Sequence, residues 1–168
     1  MRILGIDPGL AILGWGIVDV TNEARDKLSS VDYGVLTTTP KQTLPERLLD
    51  IYEGVTSLLG EYRPDAVAFE ELFFNKNVKT ALIVGAARGV AIAAAAARID
   101  GRLFEYTPLQ IKQAVTGNGR CDKHQVQFMA RALLRLRETP KPDDAADALA
   151  VAITHAHCLG REDEFRIK

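Results

Sequence analysis

Residues 2–10 read RILGIDPGL, an apolar strand-like run that ends on a carboxylate directly before a proline–glycine turn. A charge has no favourable place inside a buried strand, whereas a turn accommodates one readily. Asp7 is therefore either a turn residue that happens to be acidic or a charge placed at a strand end to hold a ligand. The surrounding sequence has to decide between these two interpretations.

The composition is that of a single globular domain of ordinary size. The chain has 168 residues, of which 47% are hydrophobic and 26% are charged. Its two cysteines form neither a CxxC pair nor a disulfide framework, and the N-terminus shows no signal-like apolar segment. We expect a cytoplasmic protein with one domain over residues 1–160 and a charged, frayed tail over residues 161–168.

Positive charge is concentrated in one segment of a nearly neutral chain. The net charge is −1, yet residues 110–141 carry seven basic and two acidic side chains, a surplus of five positive charges. Such a patch binds phosphate locally, but a solvated helical face gives the same pattern. Charge alone leaves both interpretations open.

The first half of the chain predicts three strands, a helix and a fourth strand. The strands RILGID, LGWGIVDV and VDYGVLTT suggest an antiparallel meander with a long polar connection between the second and third. A helix follows, beginning at a capping box in which Thr43 is the N-cap and Glu46 reaches back. The segment AVAFEE is apolar on both faces, as a central parallel strand is.

The second half predicts an alanine-rich helix over residues 78–99, a short strand GRLFEYT, and three further helices over residues 107–115, about 121–137 and 144–158. In the alanine-rich helix, Gly85 and Gly89 allow a neighbouring helix to approach closely. This helix therefore either crosses the core or is shared with a second subunit. The whole order predicts an α/β fold, a mixed five-stranded sheet with three antiparallel strands, then two parallel strands, and helices on both faces.

Acidic side chains stand at the ends of three predicted elements. Asp7 ends the first strand, Glu70 ends the fourth, and Asp144 and Asp147 share one face at the start of the last helix. We assign the preceding Asp143 as the N-cap of that helix. If the first and fourth strands pair in parallel, all four carboxylates come to the same edge of the sheet.

Four carboxylates at one edge do not remain ionised together without cations. Oxygen ligands suit hard divalent ions, Mg²⁺ or Mn²⁺ best of all. Two such ions roughly 3.5–4 Å apart are a common device for in-line phosphodiester hydrolysis. Each acid taken singly is explained by helix capping, turn chemistry or a solvent-facing strand end, so only the combination favours a metal site. His155 lies two turns after Asp147 on the same face, where core packing explains it better.

Six segments of the sequence occur in the order of a known family, and together they span nearly the whole chain: ILGIDPGL with GWG, FEELFFNKN, ARGVA, IKQAVTGNG, DKHQVQ and DAADALAVAITHAH. In these segments the chain resembles the RuvC family of Holliday-junction resolvases, within the ribonuclease H-like superfamily. The last segment is long and specific, whereas GIDPG alone would be a weak signal. Glu71 is a departure, because family members often have an amide there.

The resemblance implies a homodimer that nicks two strands of a four-way DNA junction symmetrically, using Mg²⁺. It also implies a partner that drives branch migration, and we take helix 78–99 as the candidate dimer seam. Carried over by position, the catalytic and metal-binding acids are Asp7, Glu70, Asp144 and Asp147. The residues implied in DNA binding are Phe73, Lys112, Gly117, Asn118, Gly119, Arg120 and Lys123.

Three alternative functions share part of this pattern. Another ribonuclease H-like nuclease, acting on RNA or simpler DNA, would share Asp7, Glu70 and Asp147 but need neither the dimer nor Phe73. An actin-like ATP-binding domain also begins with a strand ending in Gly-Ile-Asp-x-Gly. Against it, Leu10 stands where a phosphate-contacting threonine is expected, and the chain is short for a two-lobed clamp. A DNA-binding module without catalysis would not need the intact set of acids.

Overall fold

A mixed five-stranded sheet forms the centre of the fold, as the sequence predicts. The computed structural model describes residues 1–21, 27–72 and 78–168, with side chains from residue 80 in the last range. The strands are β1 (Arg2–Asp7), β2 (Ile12–Val20), β3 (Leu28–Thr37), β4 (Ala66–Glu70) and β5 (Leu103–Tyr106). Their order is β3-β2-β1-β4-β5, in which β1, β2 and β3 pair antiparallel and β4 and β5 add in parallel.

Helices cover both faces of the sheet. One face packs against α1 (Leu44–Tyr62) and α2 (Val78–Ala96), and the other packs against α3 (Pro108–Thr116), α4 (Lys123–Leu133) and α5 (Asp143–His157). Successive side chains of a strand point to opposite faces. Ile3 of β1 accordingly joins the α5 side of the core, whereas Leu4 and Ile6 join the α1 side.

Glycines in the first two strands let α5 lie very close to the sheet. A Cβ added to Gly5 would stand 2.1 Å from the carbonyl oxygen of Ala148, and one added to Gly14 would stand 2.0 Å from that of Asp144. No real side chain tolerates such distances, so these positions require glycine for close approach. The alanine-rich sequence of α5 completes the fit, and the beginning of the helix is held above the end of β1.

Several helix ends differ from their predicted positions. Pro142, not Asp143, is the N-cap of α5, so the N-cap assignment is wrong, and Asp143 is the first helical residue. The α4 helix ends at Leu133, well before residue 137, because Arg135 adopts a left-handed conformation with φ 55°. The α2 helix ends at residue 96 instead of 99. The capping box at the start of α1 is confirmed.

The C-terminal tail is docked on the sheet, so the prediction that it is frayed is wrong. Residues Glu162–Phe165 form a short 3-10 helix, and the Phe165 ring packs on Tyr106 at a centroid distance of 4.9 Å. Arg166 forms an antiparallel bridge with Phe104, and the Ile167 amide donates a hydrogen bond to the Leu103 carbonyl at 3.0 Å. Apolar and backbone contacts therefore outweigh the charged composition of the segment.

Two further features concern membrane-spanning helices and the cysteines. In the described ranges, no helix combines the length and the apolar character needed to cross a membrane. Cys121 and Cys158 are both free thiols, as the sequence predicts.

Candidate active site

Asp7 and Glu70 stand side by side at the carboxyl ends of adjacent strands. β1 and β4 pair in parallel with Ile6 opposite Phe69, so the next residue along each strand is one of the two acids. The residues before them are buried on both faces of the sheet, which fixes the strand ends rigidly. The carboxyl edge of a parallel pair is where α/β sheets bind ligands.

The start of α5 lies over the same edge. Gly14 of β2 pairs with Asp7, and the backbone of Asp144 sits directly on Gly14. Asp147 follows one turn later and is largely buried beneath the helix start. The structure thus brings the four predicted acids to one place, and the charges of the other three act on Asp7.

Burial and like charge hold this cluster partly protonated. Desolvation, then repulsion from Glu70 and Asp147, raises the pKa of Asp7 to about 8. Desolvation and the charge of Asp147 raise the pKa of Glu70 to about 7, against the effect of a hydrogen bond with Asp7 and of two lysines. Without a cation, the cluster therefore retains a proton at neutral pH. Such strongly perturbed pKa values in a cleft are typical of functional sites.

Lys123 provides positive charge within the cluster. Its Nζ lies 2.6 Å from Oδ2 of Asp147, and its side chain is 53% exposed whereas that of Asp147 is only 20% exposed. A capping box places the lysine at the first position of α4, where the Gln125 amide donates to the Asp122 carboxylate at 2.8 Å. The lysine thus reaches the buried acid from the solvent side.

A cleft of about 260 Å³ opens in front of the acids. Its polar lining combines two acids, Glu70 and Asp147, with two lysines, Lys112 and Lys123. The apolar part of the lining is made of Pro108, Ile111, Val126 and Ala150. A space of this size and charge pattern accommodates a phosphate group between the lysines and the carboxylates.

The donor set suits a hard divalent cation by its chemistry. Among residues 1–21, 27–72 and 78–168, no three acidic, histidine or cysteine side chains stand close enough together to form a ready-made metal-binding group. Of the four acids, Glu70 and Asp147 line the cleft, and the charges of Glu70, Asp147 and Asp144 act on Asp7. Oxygen ligands that are buried, mutually repelling and held on rigid elements fit Mg²⁺ or Mn²⁺.

The residues predicted to bind DNA divide into three groups. Lys112 and Lys123 line the cleft. The loop of Gly117, Asn118, Gly119 and Arg120 follows α3 outside the cleft lining, and it is shaped by the left-handed Gly117 and by a hydrogen bond from the Arg120 amide to the Asn118 side chain. Phe73 lies outside the described residues.

Three neighbouring residues that the sequence left undecided are placed away from the cleft. Glu71 lines a separate depression that also contains Glu105 and Glu164. Asp143 points outward, where Lys141 Nζ lies 2.9 Å from its carboxylate. His155 is fully buried and its Nδ1 lies 2.8 Å from the Tyr106 hydroxyl, so it is a core residue as expected.

Sequence reasoning missed Gln127, a buried polar residue beside the acids. It is only 3% exposed and lies one helical turn after Lys123 on α4. Its side chain interacts with the carboxylates of Asp143 and Asp147 and lowers the pKa of Asp143. The available signal was the spacing of four residues from Lys123, which places both side chains on one helical face.

Comparison with known proteins relates this geometry to one family. The family model described as crossover junction endodeoxyribonuclease RuvC matches residues 3–155. A relative of that description from Alkaliphilus oremlandii is 56% identical over 168 residues, covering 100% of both chains. T. thermophilus RuvC, solved in complex with a Holliday junction substrate, superposes with a TM-score of 0.89 at 38% identity and covers 99% of this chain and 98% of its own.

A more distant structure shows the same fold. The yeast mitochondrial Holliday junction resolvase has a TM-score of 0.68 at 16% identity, with 96% of this chain and 82% of that chain covered. The predicted ribonuclease H-like fold is confirmed by the structural neighbours. Because the family model and a full-length relative both match, the chain belongs to the RuvC family of crossover junction endodeoxyribonucleases.

Proposed function

We propose that this protein is an endodeoxyribonuclease that resolves four-way DNA junctions by paired symmetric nicks, in recombination and repair. The observation that carries the proposal is the cluster of four acids at one sheet edge, two of which line a phosphate-sized cleft together with two lysines. Family membership supports the substrate, since T. thermophilus RuvC was solved with a Holliday junction. We place the activity in the cytoplasm.

Asp7, Glu70, Asp144 and Asp147 would hold Mg²⁺, or Mn²⁺ in its place, and we infer two ions in each site. Such ions, when bound, neutralise the charge that develops on the phosphate and lower the pKa of water. The acids are held on two strand ends and on the first two turns of α5, which do not have to move. A proton retained by the cluster would have to leave before all of its carboxylates could bind cations.

The two lysines bind the phosphate in this proposal. In the free protein Lys123 pairs with Asp147, and its long exposed side chain would let the ammonium reach a phosphate oxygen if a cation were held at that carboxylate. Lys112 lines the same cleft. The exposed loop Gly117–Arg120 and Phe73 would bind the DNA flanking the cleaved phosphate, so junction binding should weaken steeply with salt.

We infer a homodimer joined along α2. Leu82 on this helix is 71% exposed, and a Cβ added at Gly85 or at Gly89 would meet no described atom within 4 Å. Small residues with open space beside an exposed leucine favour a second helix packing there. A two-fold dimer would present two identical sites to a junction of matching symmetry. A motor complex that drives branch migration is the further partner we propose.

The proposal is tested by cleavage of matched substrates. Purified protein is incubated with Mg²⁺ and a four-way junction, and separately with duplex, single-stranded DNA and an RNA–DNA hybrid of the same sequence. We expect paired nicks at symmetric positions in the junction, and none with the Asp7→Asn variant. Equal cleavage of every substrate would leave only a general ribonuclease H-like nuclease, and ATP hydrolysis without cleavage would contradict the proposal.

A further inference from the structure

Two polar side chains of α4 face the start of α5, and they differ in exposure. Lys123 is 53% exposed and reaches its carboxylate from the solvent side, whereas Gln127 is 3% exposed and enclosed between the two helices. The Gln127 Nε2 is fully enclosed and makes no hydrogen bond of good geometry to any described atom. Buried amide groups are nearly always hydrogen-bonded, so this one calls for a physical explanation.

Two carboxylates of α5 lie close enough for the Gln127 side chain to act on them. The Gln127 side chain interacts with both Asp143 and Asp147. Asp143 already accepts a hydrogen bond from Lys141 at 2.9 Å, and Asp147 accepts one from Lys123 at 2.6 Å. Each carboxylate has two oxygens and each lysine contacts one of them, so an oxygen of Asp147 is left to accept a hydrogen bond from the Gln127 amide.

Substrate binding would remove one of those lysines. On the proposed function, which this inference rests on, a cation at Asp147 repels the ammonium of Lys123 and the phosphate attracts it. The carboxylate would then lose the contact that orients it. Gln127 is neutral, so it is not repelled by a cation, and it is enclosed, so it does not exchange with water.

We propose that Gln127 is a positioning residue, whose amide donates a hydrogen bond to Asp147 and keeps that carboxylate aimed at the cleft after Lys123 has moved to the phosphate. Outer groups that hydrogen-bond a ligating carboxylate typically change metal affinity or activity 10- to 100-fold when removed. The competing explanation is that Gln127 only fills space between α4 and α5. An apolar side chain of the same length distinguishes the two explanations, because it fills the space but cannot donate a hydrogen bond to Asp147.

The test compares three variants of α4. Gln127→Met keeps length and volume but removes the donor, and Gln127→Glu replaces the donor by a like charge. Ala132→Met is the matched control, since it adds the same side chain at an exposed position of the same helix. Four quantities are measured for each: melting temperature without metal, junction affinity in EDTA, the rise in melting temperature with Mg²⁺, and the Mg²⁺ concentration that gives half-maximal nicking.

We expect Gln127→Met to melt no lower than the wild type and to bind the junction within about twofold in EDTA. Its half-maximal Mg²⁺ concentration should rise about tenfold and its stabilisation by Mg²⁺ should shrink, with Gln127→Glu affected more strongly. Ala132→Met should match the wild type throughout. An unchanged Mg²⁺ requirement in Gln127→Met would overturn the inference, and so would a loss of nicking matched by a loss of thermal stability.

Nicking by the wild type distinguishes a failure of the proposed function from a failure of the role proposed for Gln127. If the wild type fails to nick the junction, the proposed function is wrong. If the wild type nicks it and Gln127→Met does so with the same Mg²⁺ dependence, only the role of Gln127 is wrong.

Discussion

Ionisable groups are buried at both ends of α5, and burial shifts their pKa values in opposite directions. At the N-terminal end Asp147 joins Asp7 and Glu70, and burial raises the pKa of these carboxyls. Two turns later, roughly 12 Å along the helix, burial lowers the pKa of His155 to about 4. Both regions are thereby driven toward their neutral forms, because desolvation disfavours charge of either sign.

The difference lies in access. Glu70 and Asp147 line an open cleft, so a cation entering from solvent would restore the charge of the cluster. His155 is enclosed, with its Nδ1 at 2.8 Å from the Tyr106 hydroxyl and its ring stacked on Phe104 at a centroid distance of 4.3 Å. A buried ionisable group therefore serves chemistry where a counter-ion can reach it, and serves packing where none can. The predictions below test this contrast.

The largest expected effect comes from removing a charge at the open end. Asp7→Asn should lower the nicking rate by on the order of 10³-fold or more, because a ligand held on a rigid strand end is lost. Without metal the variant should melt no lower than the wild type, since it removes a buried carboxyl that is costly to ionise. Melting curves in EDTA and junction cleavage assays check both outcomes, and junction binding in EDTA should persist.

Displacing α5 from the sheet should damage both regions. In Gly14→Ala the new Cβ would stand 2.0 Å from the Asp144 carbonyl, so the helix start must shift. We expect a loss of about 2–3 kcal/mol in the free energy of unfolding, together with a severe loss of nicking. Gly60→Ala in α1 is the control, because its Cβ would meet no described atom within 4 Å, and it should gain about 0.5–1 kcal/mol.

The enclosed end should control stability in acid. The pKa of His155 is about 4 in the folded protein against 6.5 for the unfolded group, so its contribution is complete above pH 6.5 and is lost as the pH falls toward 4. Between pH 7.5 and pH 5 we expect this group to cost about 2 kcal/mol. Urea unfolding at both pH values measures the loss, which His155→Gln should abolish; an equal loss in that variant would contradict the assignment.

The open end should respond to pH in the opposite direction. Asp7 and Glu70 have raised pKa values in the folded protein, so the metal-free fold binds more protons than the unfolded chain and loses stability as the pH rises from 6 to 8. We expect a loss of about 2–4 kcal/mol in EDTA. Mg²⁺ should reverse it, and Asp7→Asn should reduce it. Stability that does not change over this range would argue against a buried carboxyl cluster.

The smallest effect on nicking should come from Asp143, which lies next to the four acids in the chain but points toward solvent. Asp143 pairs with Lys141 on the exposed side of the first turn of α5. Asp143→Asn should therefore change the nicking rate by no more than about threefold, because exposed ion pairs contribute little. Asp144→Asn is the paired comparison and should lose nearly all nicking. A deep loss in Asp143→Asn would place that residue among the ligands.

The sequence predicted the sheet and the acids because both depend on local pattern. RILGID is a short apolar run of the kind that forms a buried strand, and β1 and β4 pair in parallel, which was the condition for bringing the acids to one edge. The positions of Asp7 and Glu70 then follow from where the strands end. The likeness in the last helix supported the choice of Asp144 and Asp147 over Asp143, although the N-cap itself was misplaced by one residue.

What could not be predicted depends on contacts between distant segments. Gln127 becomes significant only when α4 packs against α5, which no periodicity within α4 reveals. The docking of the tail on β5 depends on Phe165 meeting Tyr106, two residues far apart in the chain. The early end of α4 at Leu133 reflects a left-handed Arg135, a conformation that arginine rarely adopts and that tertiary context must impose.

The docked tail also covers part of an outer edge of the sheet. β5 is an outer strand of the sheet, and an outer strand with free backbone groups is a template for a strand from another molecule. Arg166 and Ile167 occupy part of that edge through the Phe104 bridge and the hydrogen bond to Leu103. We therefore expect the last eight residues to limit edge-to-edge association, so that proteolytic trimming of the C-terminus would lower the solubility of the protein.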